Sequence, residues 1–85
     1  MSRGTHVNVT VDFNKWCKGR YDVRIPLHQP IKQLLGNLIE TLQLDIDKNV
    51  LFAIKVADKE LLLADDDRLV DHPVTNGDIL LVLKS

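Results

Sequence analysis

Cysteine is almost absent from this sequence, in which Cys17 is the only one. A single cysteine cannot form an internal disulfide, and it provides no set of thiolates for zinc or for an iron–sulfur cluster. We therefore expect no cofactor that depends on cysteine ligands. The thiol itself is expected to be buried or unreactive rather than catalytic.

Long hydrophobic runs are also missing. No apolar stretch approaches the roughly 18 residues of a membrane span, and the N-terminal MSRGTH lacks the apolar segment of a secretory signal. A chain of 85 residues has room for one domain with one core. We therefore expect a single domain over residues 1–85 that is cytoplasmic and has no direct membrane insertion.

Catalytic and metal-binding patterns are lacking as well. His6, His28 and His72 are scattered, and no Ser/His/Asp or Cys/His arrangement can be argued from their positions. The segment DIDKN from Asp45 resembles the start of a calcium loop, but its sixth and twelfth positions are valines instead of glycine and glutamate. We expect neither enzymatic activity nor a bound metal or cofactor.

Two alternating patterns near the N-terminus predict a β-hairpin. Valines and Phe13 alternate with polar residues in HVNVTVDF, and Tyr21, Val23 and Ile25 alternate with charged residues in RYDVRIP. Strict alternation is typical of half-buried strands. The intervening NKWCKG supplies polar residues and a glycine for the connecting loop, so the two strands are predicted to pair antiparallel.

One helix is predicted after this hairpin. Pro30 suits the first helical turn, where a missing N–H has no intrahelical partner to lose. An apolar stripe with spacings of three and four then follows, formed by Ile31, Leu34, Leu35, Leu38, Ile39 and Leu42. Gly36 lies inside the helix at some cost to its stability, and we expect its missing side chain to allow close packing against a sheet.

The second half of the chain predicts three further strands. These are NVLFAIKV from Asn49, with Lys55 outward, a short edge strand at 61–63, and the closing run ILLVL from Ile79. One amphipathic helix can cover one face of a small sheet. The predicted fold is therefore an α+β β-grasp (ubiquitin-like), a mixed sheet of four to five strands packed on one α-helix, in which the last strand runs parallel to the first.

A glycine pair is absent from the C-terminal end, where no glycine follows Gly77. Modifiers and sulfur carriers of the β-grasp fold need a flexible tail that ends in two glycines. We therefore expect that this chain is not conjugated to targets.

The remaining candidates for function lie on the surface. We assign Ile79, Leu81 and Leu83 to the core. Strand alternation then directs Leu80 and Val82 outward, beside Lys55. A tryptophan in a hairpin loop is either a docking anchor or a lid on the core. The outward apolar residues of the last strand either form a docking patch or are there only because such residues favour strands. The predicted protein-binding residues are Trp16, Lys55, Leu80 and Val82.

An ordered series of short segments resembles one family. The segments are VTVDF, YDVRIP, PIKQLL, IKV, DRLVD and NGDILLVL, which together span about residues 6 to 83. They resemble the EsaB/YukD family of ubiquitin-like small proteins encoded with type VII secretion systems of Gram-positive bacteria. The resemblance implies a β-grasp fold and an accessory or regulatory role, with the cytosolic part of a secretion membrane component or ATPase as the protein partner.

Two alternatives remain open from the residues alone. The net charge is −1, which gives no overall attraction for nucleic acid. The hairpin nevertheless concentrates basic residues, namely Lys15, Lys18, Arg20 and Arg24. A regulator that acts away from the secretion machine could use them for weak nucleic-acid binding. The second alternative is a redox switch in which Cys17 links two chains by a disulfide.

Overall fold

Five strands and one α-helix form the protein in a computed structural model that describes residues 4–84. The strands are β1 His6–Asp12, β2 Arg20–Pro26, β3 Phe52–Val56, β4 Leu61–Ala64 and β5 Ile79–Lys84, and the helix is α1 Ile31–Thr41. Single 3₁₀ turns occur at Asn14–Trp16 and Leu69–Asp71. Every predicted element is present. β3 begins later than predicted because a turn precedes it, in which the Val50 N–H donates to the Asp47 carbonyl at 3.3 Å.

The strands form one mixed sheet in the order β2-β1-β5-β3-β4. β1 and β2 pair antiparallel with Val9 opposite Val23, as the alternation predicts. β5 runs parallel to β1 and antiparallel to β3, so it lies in the middle of the sheet. The topology confirms the predicted β-grasp fold, and β5 is apolar because it is an interior strand.

Helix α1 covers one face of this sheet, which we call the inner face. Its apolar stripe buries Ile31, Leu34, Leu35 and Ile39 against residues of β1, β3 and β5. Complete burial of one such aliphatic side chain contributes about 1.5–3 kcal/mol. The opposite face of the sheet, which no helix among residues 4–84 covers, is called the outer face. None of the helices in this described range has the length and apolar character needed to cross a membrane.

The start of α1 is completed by a distant loop. No side chain caps the helix at Pro30. The N–H of Ile31 instead donates to the Asp67 carbonyl at 2.9 Å, and the N–H of Lys32 donates to the Asp65 carbonyl at 2.8 Å. Because the first N–H groups of a helix have no intrahelical acceptor, the loop after β4 satisfies two of them.

The prediction for Gly36 is wrong. A Cβ atom at this position would meet no heavy atom within 4 Å, so the sheet does not approach the helix there. Gly36 is therefore an ordinary helical position without a side chain, and it carries the entropic cost of glycine without a packing benefit.

The predicted orientation of β5 is also wrong. Leu80 and Val82 are 0% and 1% exposed within the core, whereas Ile79, Leu81 and Leu83 are partly exposed. The strand is apolar on both faces, so its own pattern does not identify the buried side. Its only charged residue, Lys84, shares the phase of Leu80 and Val82 but stands at the end of the strand, with its ammonium 6.0 Å from the centroid of the Trp16 ring.

Candidate protein-docking surface

The outer face of the sheet has a polar half and an apolar half. On β1 and β2 the outward residues are polar or charged, and they pair across the two strands, as Asn8 does with Arg24 and Thr10 with Asp22. On β5, β3 and β4 most outward residues are aliphatic. The outer face changes from polar to aliphatic residues between β1 and β5, where Asp12 is opposite Leu81.

Two cross-strand rows build the apolar half. The first row runs Leu81, Lys55, Leu62 and the second runs Leu83, Ala53, Ala64 across β5, β3 and β4. Residues directly opposite each other on one face have Cβ atoms about 4.5–5.5 Å apart, so each row forms a continuous surface. We call these six residues the leucine strip. Leu62 is a well-exposed member of the strip, with 64% of its surface accessible.

Asp12 organises the hairpin loop beside this strip. Its side chain is only 7% exposed and forms an ion pair with Arg20 at 2.8 Å. The same carboxylate accepts the backbone N–H of Asn14 at 2.7 Å and the Asn14 side-chain amide at 3.1 Å. These bonds satisfy a buried charge and close the turn that leads into the 3₁₀ segment.

The loop places Trp16 against the core. Its ring centroid is 5.7 Å from that of Phe52 and 6.4 Å from that of Phe13. The Tyr21 hydroxyl, which donates to the Lys18 carbonyl at 2.6 Å, further secures the loop. Trp16 therefore lies as a lid over the end of the core, one of the two arrangements the sequence allowed, and it stays partly exposed.

Two shallow grooves border the strip near this loop. One, of about 300 Å³, is lined by the loop residues Asp12, Asn14 and Lys15 and by 81–83 of β5. The other, of about 330 Å³, is lined by Lys15, Leu83 and Lys84. None of the ion pairs formed among residues 4–84 includes Lys15, Lys55 or Lys84. The surface is thus aliphatic apart from Lys55 in its first row, with Lys15 and Lys84 at the end of β5.

A separate ion pair stabilises the loop that leads into β5. The Lys59 ammonium lies 2.8 Å from a carboxylate oxygen of Asp78 and also donates to the Pro73 carbonyl at 2.6 Å. Burial by itself raises the pKa of Asp78, but the bonds from Lys59 and from the backbone N–H of Thr75 outweigh it and lower that pKa below its usual 3.8.

The structure brings together only part of the predicted site. Lys55 is exposed on the outer face, and Trp16 is partly exposed at its end. Leu80 and Val82 are buried beneath the sheet, so a partner cannot contact them on the folded chain. Leu81 and Leu83, which the sequence pattern assigned to the core, lie on the outer face instead. Leu62, which the sequence pattern did not indicate, also lies there. The sequence carries no local signal for Leu62, because β4 reads LLLA and is apolar at every position.

The predicted nucleic-acid residues are interrupted by carboxylates. Arg20 is paired with Asp12, and Asp22, which accepts the Thr10 hydroxyl at 2.6 Å, lies between Arg20 and Arg24 on the outer face of β2. Cys17 is exposed and lies in the hairpin loop with a left-handed backbone. Of the two expected states, buried or unreactive, burial is therefore ruled out. Within residues 4–84 no group of three or more histidine, cysteine, aspartate or glutamate side chains could hold a metal ion.

Known structures share this fold. The ubiquitin-like domain of an Arabidopsis thaliana protein matches with a TM-score of 0.67 and 16% identity, over 99% of this chain and 82% of that one. A chain of the MycP5-free ESX-5 inner membrane complex matches with a TM-score of 0.59 and 17% identity, over 96% of this chain and 21% of that one. At these identities the likeness shows the ubiquitin-like fold alone.

Sequence comparison identifies the family. The type VII secretion system accessory factor EsaB of Staphylococcus aureus (strain Newman) is 42% identical over 79 residues, which cover 92% of this chain and 96% of that protein. A family model described as WXG100 protein secretion system (Wss), protein YukD, matches residues 6–82. With its ubiquitin-like fold and this match along nearly its whole length, the chain belongs to the YukD family of type VII secretion accessory proteins.

Proposed function

We propose that this protein is a non-enzymatic docking module, and that it binds the cytoplasmic part of a type VII secretion membrane component or its ATPase through the leucine strip. One observation carries this proposal: an exposed aliphatic surface, with Leu62 64% accessible, on the sheet face opposite the helix. Contiguous apolar surface on a small domain is typical of a protein interface. Membership of an accessory-factor family supports the secretion system as the setting.

The ESX-5 likeness adds a structural analogy. In that case a ubiquitin-like fold forms part of a much longer chain within an inner membrane complex. We propose that the present chain supplies the same kind of module as a separate protein. Its contribution is reversible binding from the cytoplasmic side, and accessory or regulatory action follows from which subunit it holds. The nucleic-acid alternative has no comparable support, because carboxylates interrupt the basic hairpin.

Capture from the producing bacterium tests this proposal. A tagged chain is crosslinked in cells, and secretion-system membrane and ATPase subunits that co-purify are quantified by mass spectrometry. Leu62→Glu should reduce their recovery about tenfold or more, because it replaces an exposed aliphatic contact with a charged side chain that loses water when the partner covers it. This substitution is at an exposed edge position, so the fold should be retained and the thermal unfolding curve should stay nearly unchanged.

The matched control is Gln33→Glu, which adds the same side chain on the exposed side of α1, away from the sheet. It should leave recovery unchanged. Recovery that is equal for Leu62→Glu and the wild type would show that the strip is not the docking surface. Failure of the wild-type chain to recover any secretion-system subunit would contradict the proposed function itself.

A further inference from the structure

We propose that the segment that occupies the leucine strip is an acidic amphipathic stretch of the partner protein, with aliphatic side chains on the strip and carboxylates on Lys15, Lys55 and Lys84. This inference rests on the proposed docking function and names the chemistry of its partner. It follows from where the three ammonium groups stand relative to the leucines.

Lys55 lies inside the strip rather than at its edge. The strand register places it between Leu81 and Leu62 on the outer face. Any partner that covers both leucines therefore also covers Lys55. Removing a charged ammonium from water costs several kcal/mol unless an opposite charge is supplied, and no residue among 4–84 forms an ion pair with it. The partner must bring a carboxylate to this position.

Lys15 and Lys84 also lie beside a leucine, at the end of β5. Both line a groove with Leu83, so an aliphatic side chain placed there has two lysine side chains beside it. The nearby Asp12 does not neutralise them, because its carboxylate is already bonded to Arg20 and Asn14. Lys15 and Lys84 thus form a positive border at one end of an aliphatic surface that has Lys55 inside it. This arrangement complements a segment that presents leucine-like and acidic side chains on the same face.

A second copy of this chain does not fit the same surface face to face. In a symmetric dimer the same patch occurs on both sides, so the three lysines of one copy would approach those of the other. Like charges in a contact with low dielectric cost several kcal/mol. Nucleic acid is also a poor match, because the aromatic ring available for base stacking, Trp16, is packed against Phe52 and Phe13.

Defined peptide probes test this inference on the purified chain. The acidic probe is a short synthetic peptide in which pairs of leucines alternate with pairs of glutamates, so that each face of the extended peptide carries both residue types. The neutral probe has glutamine at each glutamate, and the basic probe has lysine. Binding is followed by fluorescence anisotropy and by amide chemical shifts. The acidic probe should bind about tenfold or more tightly than the neutral one, with an affinity that falls as salt rises, and should shift residues of β5, β3 and β4.

Charge reversal at the centre of the strip provides the decisive variant. Lys55→Glu should weaken the acidic probe about tenfold or more and strengthen binding of the basic probe. Lys55→Met should reduce the preference for the acidic over the neutral probe, and Lys15 and Lys84 should account for what remains of it. Lys32→Glu is the matched control. It reverses an exposed lysine in the first turn of α1, so it should leave the probe affinities unchanged.

The outcomes separate this inference from the proposed function. If Leu62→Glu abolishes capture of secretion subunits in cells but Lys55→Glu does not, docking stands and the acidic partner is wrong. Equal binding of the acidic and neutral probes also overturns the inference. So does tighter binding of single-stranded RNA than of the acidic probe at the same salt concentration. Self-association of the chain that Leu62→Glu reverses would assign the surface to a second copy instead.

Discussion

At the scale of single residues, Gly36 is the position where the structure allows an unambiguous improvement. A methyl group there meets open space, and alanine is favoured over glycine inside a helix by about 1 kcal/mol. Gly36→Ala should therefore raise the free energy of unfolding by about 0.5–1 kcal/mol, which shifts the melting temperature upward by several degrees, on the order of 4–8 °C per kcal/mol. Thermal unfolding followed by circular dichroism measures this.

The matched control for this substitution is Gly19→Ala. Gly19 has a φ of +82° in the hairpin loop, a left-handed conformation that glycine adopts far more readily than alanine. Gly19→Ala should lower the melting temperature although it adds the same methyl group. A decrease for Gly36→Ala as well would mean that the helix is closer to the sheet than the structure places it.

Residue-level signals predicted the exposure of some residues of the proposed docking surface and not of the others. The exposure of Lys55 followed from its charge in an otherwise apolar strand, and Trp16 was recognised as a special loop residue. Neither the charge of Lys84 nor the apolar residues of β5 reveal which face of that strand is buried. Lys84 stands beyond the covered part of the sheet, where a long side chain reaches the edge of the core and its charge faces water.

At the scale of elements, the phase of β5 is the feature most open to a direct test. Leu80 is buried in the core, so Leu80→Ala should lower the free energy of unfolding by about 2–5 kcal/mol. Leu81 is partly exposed on the outer face, so Leu81→Ala should lower it by less than about 1 kcal/mol. Urea denaturation of the two variants measures the difference. The reverse order of the two values would restore the orientation that the sequence pattern suggested.

The Lys59–Asp78 ion pair helps to hold the loop that leads into β5. The free energy of unfolding should therefore depend on pH. The pKa of Asp78 is lowered in the folded chain, so the folded state binds fewer protons there than the unfolded state. The stabilisation is therefore complete above the usual pKa of 3.8 and is lost as the pH falls through the lower folded value. Asp78→Asn should be less stable than the wild type at neutral pH, and this difference should shrink in acid.

Urea denaturation of both proteins over a series of pH values measures the effect. Lys59→Met serves as the companion variant, because it removes the ammonium group that accounts for much of the lowered pKa. It should reproduce the same convergence with the wild type at low pH. A stability difference that stays constant from neutral pH into acid would mean that the Lys59–Asp78 contact does not form in solution.

At the scale of the whole molecule, the sequence determines the architecture more clearly than the docking surface. Alternation on β1 and β2, the helical stripe and the position of Pro30 each predicted an element that the structure contains. The β-grasp topology followed from one helix and a terminal apolar strand. The surface could not be predicted in the same way, because it depends on which side of an interior strand the helix covers. The packing of α1 across β1, β3 and β5 determines which side is buried, and no local sequence pattern contains this information.

The central position of β5 determines when the fold can be completed during synthesis. It is the last strand along the chain, yet it lies between β1 and β3. A nascent chain from which β5 has not emerged holds α1 and two hairpins that are not paired with each other, and a lone hairpin is marginally stable in water. The loop of residues 65–67 that completes the start of α1 is also late. All residues through β5 must therefore leave the ribosome before the core can close, and the unfinished domain is exposed to proteases and chaperones until then.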